Sequence, residues 1–298
     1  MRKLFGILCA MLMCCALPGL AMAGRMQVAV GVAPVEHFAQ KIGGDLIQTT
    51  VLVPAGADAH TYEPKPSQMR AISAAAVYLS TGLEFEEAWQ ARLKGANSRM
   101  VFVPLDAGLR KMVMPEHHEE HEEPHHMGKG GHEEPEMDPH IWVAPSQVRQ
   151  MATKIAEAFS KADPAHAKAY AANLRAYLKE IDAVDAQIKA QFAGVSANHR
   201  TFLVFHPAWG YFARDYGLIQ TAIQYEGKEP SPKRLGAIIS QAKAKGVKVV
   251  FVQPEMSQRS ATTIAKAIGG RLVVADPLAA NWEVNLVNVA KAFRQALQ

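Results

Sequence analysis

Short β-branched and apolar runs alternate along the chain with stretches of helical period. Residues 27–32, 49–53, 76–80 and 100–104 read as strands, and residues 67–75 and 84–95 between them as helices. The pattern returns later, where residues 201–205, 220–224, 248–253 and 271–275 also read as strands. Alternation of this kind implies βαβ units on parallel sheets. It predicts an α/β fold of two lobes, each with a central parallel sheet flanked by helices.

Between the lobes Asp163 is placed to cap a helix and Pro164 to occupy its first position. Tyr170, Leu174, Tyr177, Ile181, Val184, Ile188 and Phe192 then recur every three or four residues. One face is therefore apolar for about 30 residues, roughly 45 Å, which predicts one long rigid helix joining the lobes. The expected division is an N-terminal lobe over residues 24–162, a linking helix over 163–193 and a C-terminal lobe over 194–298. Residues 116–137 fit neither lobe, because they are almost wholly His, Glu, Gly, Pro and Met and lack apolar periodicity. They read as a surface loop of the first lobe.

The amino terminus changes the picture. Arg2 and Lys3 precede an apolar run from Leu4 to Leu17, and Ala21-Met22-Ala23 forms a small-residue cleavage box. Residues 1–23 therefore read as a removable signal peptide of the Gram-negative type, which predicts a periplasmic protein. Pro18-Gly19 breaks the run short of the roughly 20 residues a membrane span needs, so no stable membrane insertion is expected after its removal. Cys14 and Cys15 follow Met13 and Cys14, a poor match to a lipidation box, which argues against a lipoprotein anchor. All three cysteines lie in the segment expected to be removed, so the mature chain has no thiolate ligands. Loss of Arg2 and Lys3 lowers the formal charge from +4 to +2, too near neutral to indicate a nucleic-acid partner.

Histidine carries the candidate chemistry. Six of the twelve (His117, His118, His121, His125, His126 and His132) lie in the loop, where imidazole and carboxylate together form an auxiliary, weak metal-binding tract. His121-Glu122-Glu123-Pro124-His125 matches a zinc-protease motif by letter. That motif needs a helix, however, and Pro124 removes one. His37, His166 and His199 read as surface or capping residues. His60 follows the second strand and His206 and Asp276 end later strands, where ligands gather in parallel sheets, while His140 lies just past the loop. Three imidazoles and a carboxylate suit zinc. Placement alone leaves helix capping and anion binding open for each.

Five stretches extend this reading: His60-Thr61-Tyr62-Glu63-Pro64-Lys65-Pro66-Ser67, Asp138-Pro139-His140-Ile141-Trp142, Phe205-His206-Pro207-Ala208-Trp209-Gly210-Tyr211-Phe212, Gly227-Lys228-Glu229-Pro230-Ser231-Pro232 and Asp276-Pro277-Leu278. In kind and order they resemble the metal-specific solute-binding proteins of bacterial ABC importers, the zinc- and manganese-binding family called cluster A-I. Gln68 departs from it, standing where an Asp often follows Pro-Ser. The resemblance implies two α/β lobes on one long helix, a metal ion held in the cleft by His60, His140, His206 and Asp276, and docking on a membrane permease. A histidine at position 206 and a His- and Glu-rich loop before the second motif are similar to the zinc branch. The expected function is thus high-affinity capture of Zn(II) and its delivery to the permease by a monomer that is not an enzyme. The alternatives are a manganese or iron carrier on the same scaffold and a zinc hydrolase.

Overall fold

The computed structural model describes residues 24–114, 137–224, 230–256 and 258–297. The expected signal peptide and the His/Glu-rich tract, apart from Met137, lie outside them. Eight strands form two parallel sheets. The first holds β1 (Met26–Val30), β2 (Ile47–Val51), β3 (Val77–Ser80) and β4 (Val101–Pro104) in the order β2-β1-β3-β4. The second holds β5 (Thr201–Val204), β6 (Ile219–Ala222), β7 (Val249–Val252) and β8 (Arg271–Val274) in the order β6-β5-β7-β8. Each predicted strand is present, and its observed ends lie within two residues of the expected ones. In both sheets the chain reverses its direction of travel at the first strand, leaving a crevice beyond the carboxyl ends.

The central strands are buried on both faces, as Val28, Ala29 and Val30 of β1 and all four residues of β7 show. Helices therefore cover both sides. In the first lobe these are α1 (Ala33–Gly43), α2 (Pro66–Ile72), α3 (Glu84–Ala96) and α4 (Pro145–Ala162), and in the second α6 (Gly210–Tyr216), α7 (Pro232–Ala244), α8 (Gln258–Ala267) and α9 (Trp282–Ala296). The sequence reading assigned no element to α4, although Pro145 opens it as a first-turn proline.

The linking helix α5 spans Ala167–Phe192. Asp163 and Pro164 stand at the N-cap and first position as expected, but of a 3-10 turn, Pro164–His166, that leads into it. The Asp163 carboxylate is drawn away to side chains, accepting from Tyr170 Oη and His166 Nδ1, each at 2.7 Å. The apolar stripe is otherwise as read: six of its seven residues are buried and Leu174 packs against the core. At 1.5 Å per residue α5 is about 39 Å long. It packs on α1 and α4 of one lobe and on α6 and α9 of the other. Phe38 of α1 meets Trp282 of α9 edge-on at 5.4 Å between centroids. His37, expected as a surface residue, instead pairs with Glu283 of α9 at 2.7 Å. One continuous apolar cluster therefore runs through both lobes.

Ile181 lies fully buried at the middle of α5. Ile181→Ala should lower unfolding free energy by about 2–5 kcal/mol in chemical denaturation, with α5 and both lobes melting together. Two separate transitions, only one of them shifted, would contradict a shared core.

Candidate metal centre

The carboxyl ends of both sheets face one cleft. His60 lies beyond β2, Glu84 opens α3 beyond β3, His206 follows β5, Gln224 follows β6, and Gln253 follows β7. Two of the histidines are set by the same local device. Asp58 Oδ1 accepts from the His60 backbone N–H at 2.9 Å, and Asp138 Oδ1 accepts from that of His140 at 2.9 Å. An Asp two residues before a His thus forms a side-chain turn that fixes the ring's point of departure. Gln68, the departure from the family pattern, anchors the His60 loop. It accepts from Tyr62 Oη and the Lys65 N–H, both at 2.8 Å, and donates to the Leu52 carbonyl at 2.5 Å. Across the cleft Gly210 is required, because a β-carbon there would stand 2.8 Å from Asp138 Oδ2.

The three rings converge. Centroid separations are 5.1 Å for His60 and His140, 4.8 Å for His60 and His206, and 5.2 Å for His140 and His206. One nitrogen from each lies within 4.8 Å of the others. Every Nδ1 faces an oxygen: Glu84 Oε2 at 2.9 Å from His60, Asp138 Oδ1 at 2.8 Å from His140 and Gln224 Oε1 at 3.3 Å from His206. An acceptor at Nδ1 commits the ring proton there and leaves the lone pair on Nε2. His140 Nε2 and His206 Nε2 are 3.3 Å apart. Two nitrogens bound at 2.0–2.1 Å to one tetrahedral ion would be separated by about 3.3–3.4 Å, so the spacing fits one edge of a single coordination sphere.

Electrostatics agree. Burial first, and then the neighbouring His140 and His60, hold the His206 imidazole well below its usual range, so it is neutral at physiological pH and free to donate a lone pair. Burial raises the Asp276 carboxyl, against a bond from the Leu278 N–H. Burial, with the Asp276 and Asp58 carboxylates, pushes Glu255 up to about 7.

The structure therefore brings together His60, His140 and His206. Asp276 is not a member of this group: its Oδ1 accepts from the Leu278 N–H at 2.7 Å. His117, His118, His121, His125, His126 and His132 lie outside the described residues. Met137, at the end of that tract, makes an antiparallel bridge to Val113. His166 pairs with Asp163, and His199 lies in a 3-10 turn. The sequence reading missed Glu84, Gln224 and Glu255. Glu84 and Gln224 stand at strand ends like the histidines, but one reads as a helix-opening acid and the other as the last residue of a strand.

The model of the family "Zinc-uptake complex component A periplasmic" matches residues 28–296. A crystal structure of ZnuA superposes with a TM-score of 0.83 at 38% identity, covering 92% of this chain and all of that one. A ZnuA deletion mutant with zinc bound gives 0.82 at 38% identity over 92% of this chain and 98% of its own. The zinc-binding protein AdcA of Streptococcus pyogenes serotype M3 is 29% identical over 266 residues, 86% of this chain. The chain spans about half the length of that streptococcal relative (51%).

The depressed His206 ring has a consequence for stability. Below its usual value of 6.5 the unfolded chain takes up a proton that the folded chain refuses, so this residue costs stability as pH falls. Glu255 acts oppositely: the folded chain holds its proton up to about 7, so its contribution is lost as pH rises from 4.5. The difference between proteins isolates His206. From about pH 7 to about pH 5.5 the metal-free wild type should lose more thermal stability than His206→Gln, and parallel melting curves would contradict the assignment.

Proposed function

Because this chain belongs to the periplasmic zinc-uptake complex component A family, we propose that it captures Zn(II) between its lobes at His60, His140 and His206 and delivers it to the membrane permease of an ABC importer. The observation that carries this reading is the convergence of three rings, each with its Nδ1 facing an oxygen acceptor. Nitrogen donors favour zinc over manganese or ferrous iron, which accept more oxygen. Neutral imidazoles leave the ion's charge uncompensated, and the nearby Asp276 carboxylate supplies negative charge. Protons compete for the same nitrogens, so affinity falls as pH drops through the histidine range.

Carriage is separated from hydrolysis if a fourth protein oxygen, such as that of Asp276, fills the position at which a zinc enzyme activates water. Release then follows from reshaping. Residues 24–162 and 194–298 act as the two lobes on the 163–193 helix, and the permease parts them slightly. Small rocking suffices, because His60 and His140 come from one lobe and His206 from the other, and a displacement of about an ångström breaks bonds of this kind. The protein acts as a periplasmic monomer. Among the described residues no helix is long and apolar enough to cross a membrane. The His- and Glu-rich residues 116–137 gather zinc weakly.

Titration of metal-stripped protein with zinc against a chromophoric chelator tests the reading. One tight site is expected. Each of His60→Ala, His140→Ala and His206→Ala should weaken it by more than the roughly 10–100-fold that loss of an outer partner costs, while deletion of residues 116–137 should spare it. Tight binding that survives all three substitutions would move the function elsewhere.

A further inference from the structure

Contact between the lobes is not confined to the histidine group. His37 of α1, in the first lobe, reaches across to Glu283 of α9, in the second, and its Nε2 lies 2.7 and 2.9 Å from the two carboxylate oxygens. Each of these side chains is 20% exposed. Lys41, one turn further along α1, adds a second cation: its Nζ lies 2.5 Å from Glu180 of α5 and 3.6 Å from Glu283. Tyr177 of α5 meets the His37 ring edge-on at 6.3 Å and lies 5.6 Å from the Lys41 ammonium. Burial would raise the Glu283 carboxyl, but the His37 bond, its own backbone N–H and the His37 and Lys41 charges hold it below its usual range. The carboxylate of the second lobe is therefore ionised and committed to the first.

The pair is continuous with the metal centre through packed rings. Phe38, beside His37 in sequence, meets Trp282, beside Glu283, edge-on at 5.4 Å. Trp282 Nε1 donates to the Trp142 carbonyl at 2.7 Å, and the Trp142 ring lies 5.5 Å from that of His140. Trp142 Nε1 in turn donates to the Pro277 carbonyl of the second lobe at 2.7 Å. Phe38, Trp142 and Trp282 are all buried, and an interior packed this densely transmits a displacement and does not absorb it. A shift of α9 against α1 therefore carries to the spacing between His140 and the second lobe.

Building on the zinc-capture reading above, we propose that His37 and Glu283 form an interlobe clasp, a positioning pair that holds the metal-free lobes at the spacing zinc requires. Neither residue belongs to the histidine group. Their part is preorganisation: apparent affinity scales with the fraction of metal-free molecules whose lobes already stand at the competent spacing, and the clasp raises that fraction. Lys41 supports the pair by placing a second positive charge beside Glu283. Separation of the lobes must break this contact as well as the metal bonds, so the clasp acts on release as it does on capture.

The test uses metal-stripped protein, zinc competition titration and Co(II) absorption as a reporter of coordination. His37→Ala and Glu283→Ala should each weaken zinc by about threefold or more, with the Co(II) d–d bands as in wild type because the ligands are unchanged. The double variant should bind no more weakly than either single one, since each alone removes the pair; additive losses would show that the residues act separately and overturn the proposal. His37→Gln returns an N–H donor toward Glu283 and should recover most of the wild-type affinity, whereas no recovery would place the effect in ring packing and overturn the pair. A part confined to stability predicts lower melting temperatures with zinc affinity as in wild type. That result overturns the proposal, as does a change in the Co(II) bands. His60→Ala, His140→Ala and His206→Ala separate the two levels of inference. If these abolish tight binding while His37→Ala and Glu283→Ala match wild type, the clasp fails and the zinc site stands; if they do not abolish it, the zinc-capture reading itself fails.

Discussion

The centre depends on a single constraint: three imidazoles must be kept neutral, with their lone pairs converging, inside a cleft that excludes much of the surrounding water. Imidazoles left to themselves would rotate, protonate or bond to one another through water. Here each Nδ1 faces a fixed oxygen of Glu84, Asp138 or Gln224. That arrangement selects the tautomer and the ring orientation together. Burial adds to it by disfavouring the imidazolium form of His206.

Rigid placement of the acceptors is what the rest of the fold provides. Asp138 is itself clamped, because the His140 N–H and Nδ1 share its Oδ1, Tyr211 Oη donates to its carbonyl at 2.7 Å, and Gly210 leaves room for its other oxygen. Contacts across the cleft continue this order. Trp142 Nε1 donates to the Pro277 carbonyl and Trp282 Nε1 to that of Trp142, each at 2.7 Å. With α5 packed on both lobes, these bonds resist a wide hinge opening. They allow the small displacement that is enough to divide a site whose ligands come from both sides.

Much of this was legible in the sequence because it rests on local pattern. Short β-branched and apolar runs marked all eight strands, and the three-to-four-residue spacing of Tyr170 through Phe192 marked α5. The family motifs pointed to His60, His140 and His206. What stayed hidden was of longer range. Asp163 has the chemistry of a helix cap, yet Tyr170 and His166 compete for its carboxylate, and no rule of spacing weighs that competition. His37 reads as a surface residue until α9 is folded against α1 and brings Glu283 to it. Glu84, Gln224, Gln253 and Glu255 approach the centre only after four separate crossovers are packed. The strand-end position they share was the one available signal, and it is common to many residues without ligands.

Anomalous diffraction at the zinc absorption edge from crystals of the loaded protein tests the central claim most directly, because it locates the ion without assuming its ligands. The account predicts one strong peak in the interlobe cleft, bonded to a nitrogen from each of His60, His140 and His206. A dominant peak elsewhere, or one in the cleft touching fewer than three of these rings, would contradict it.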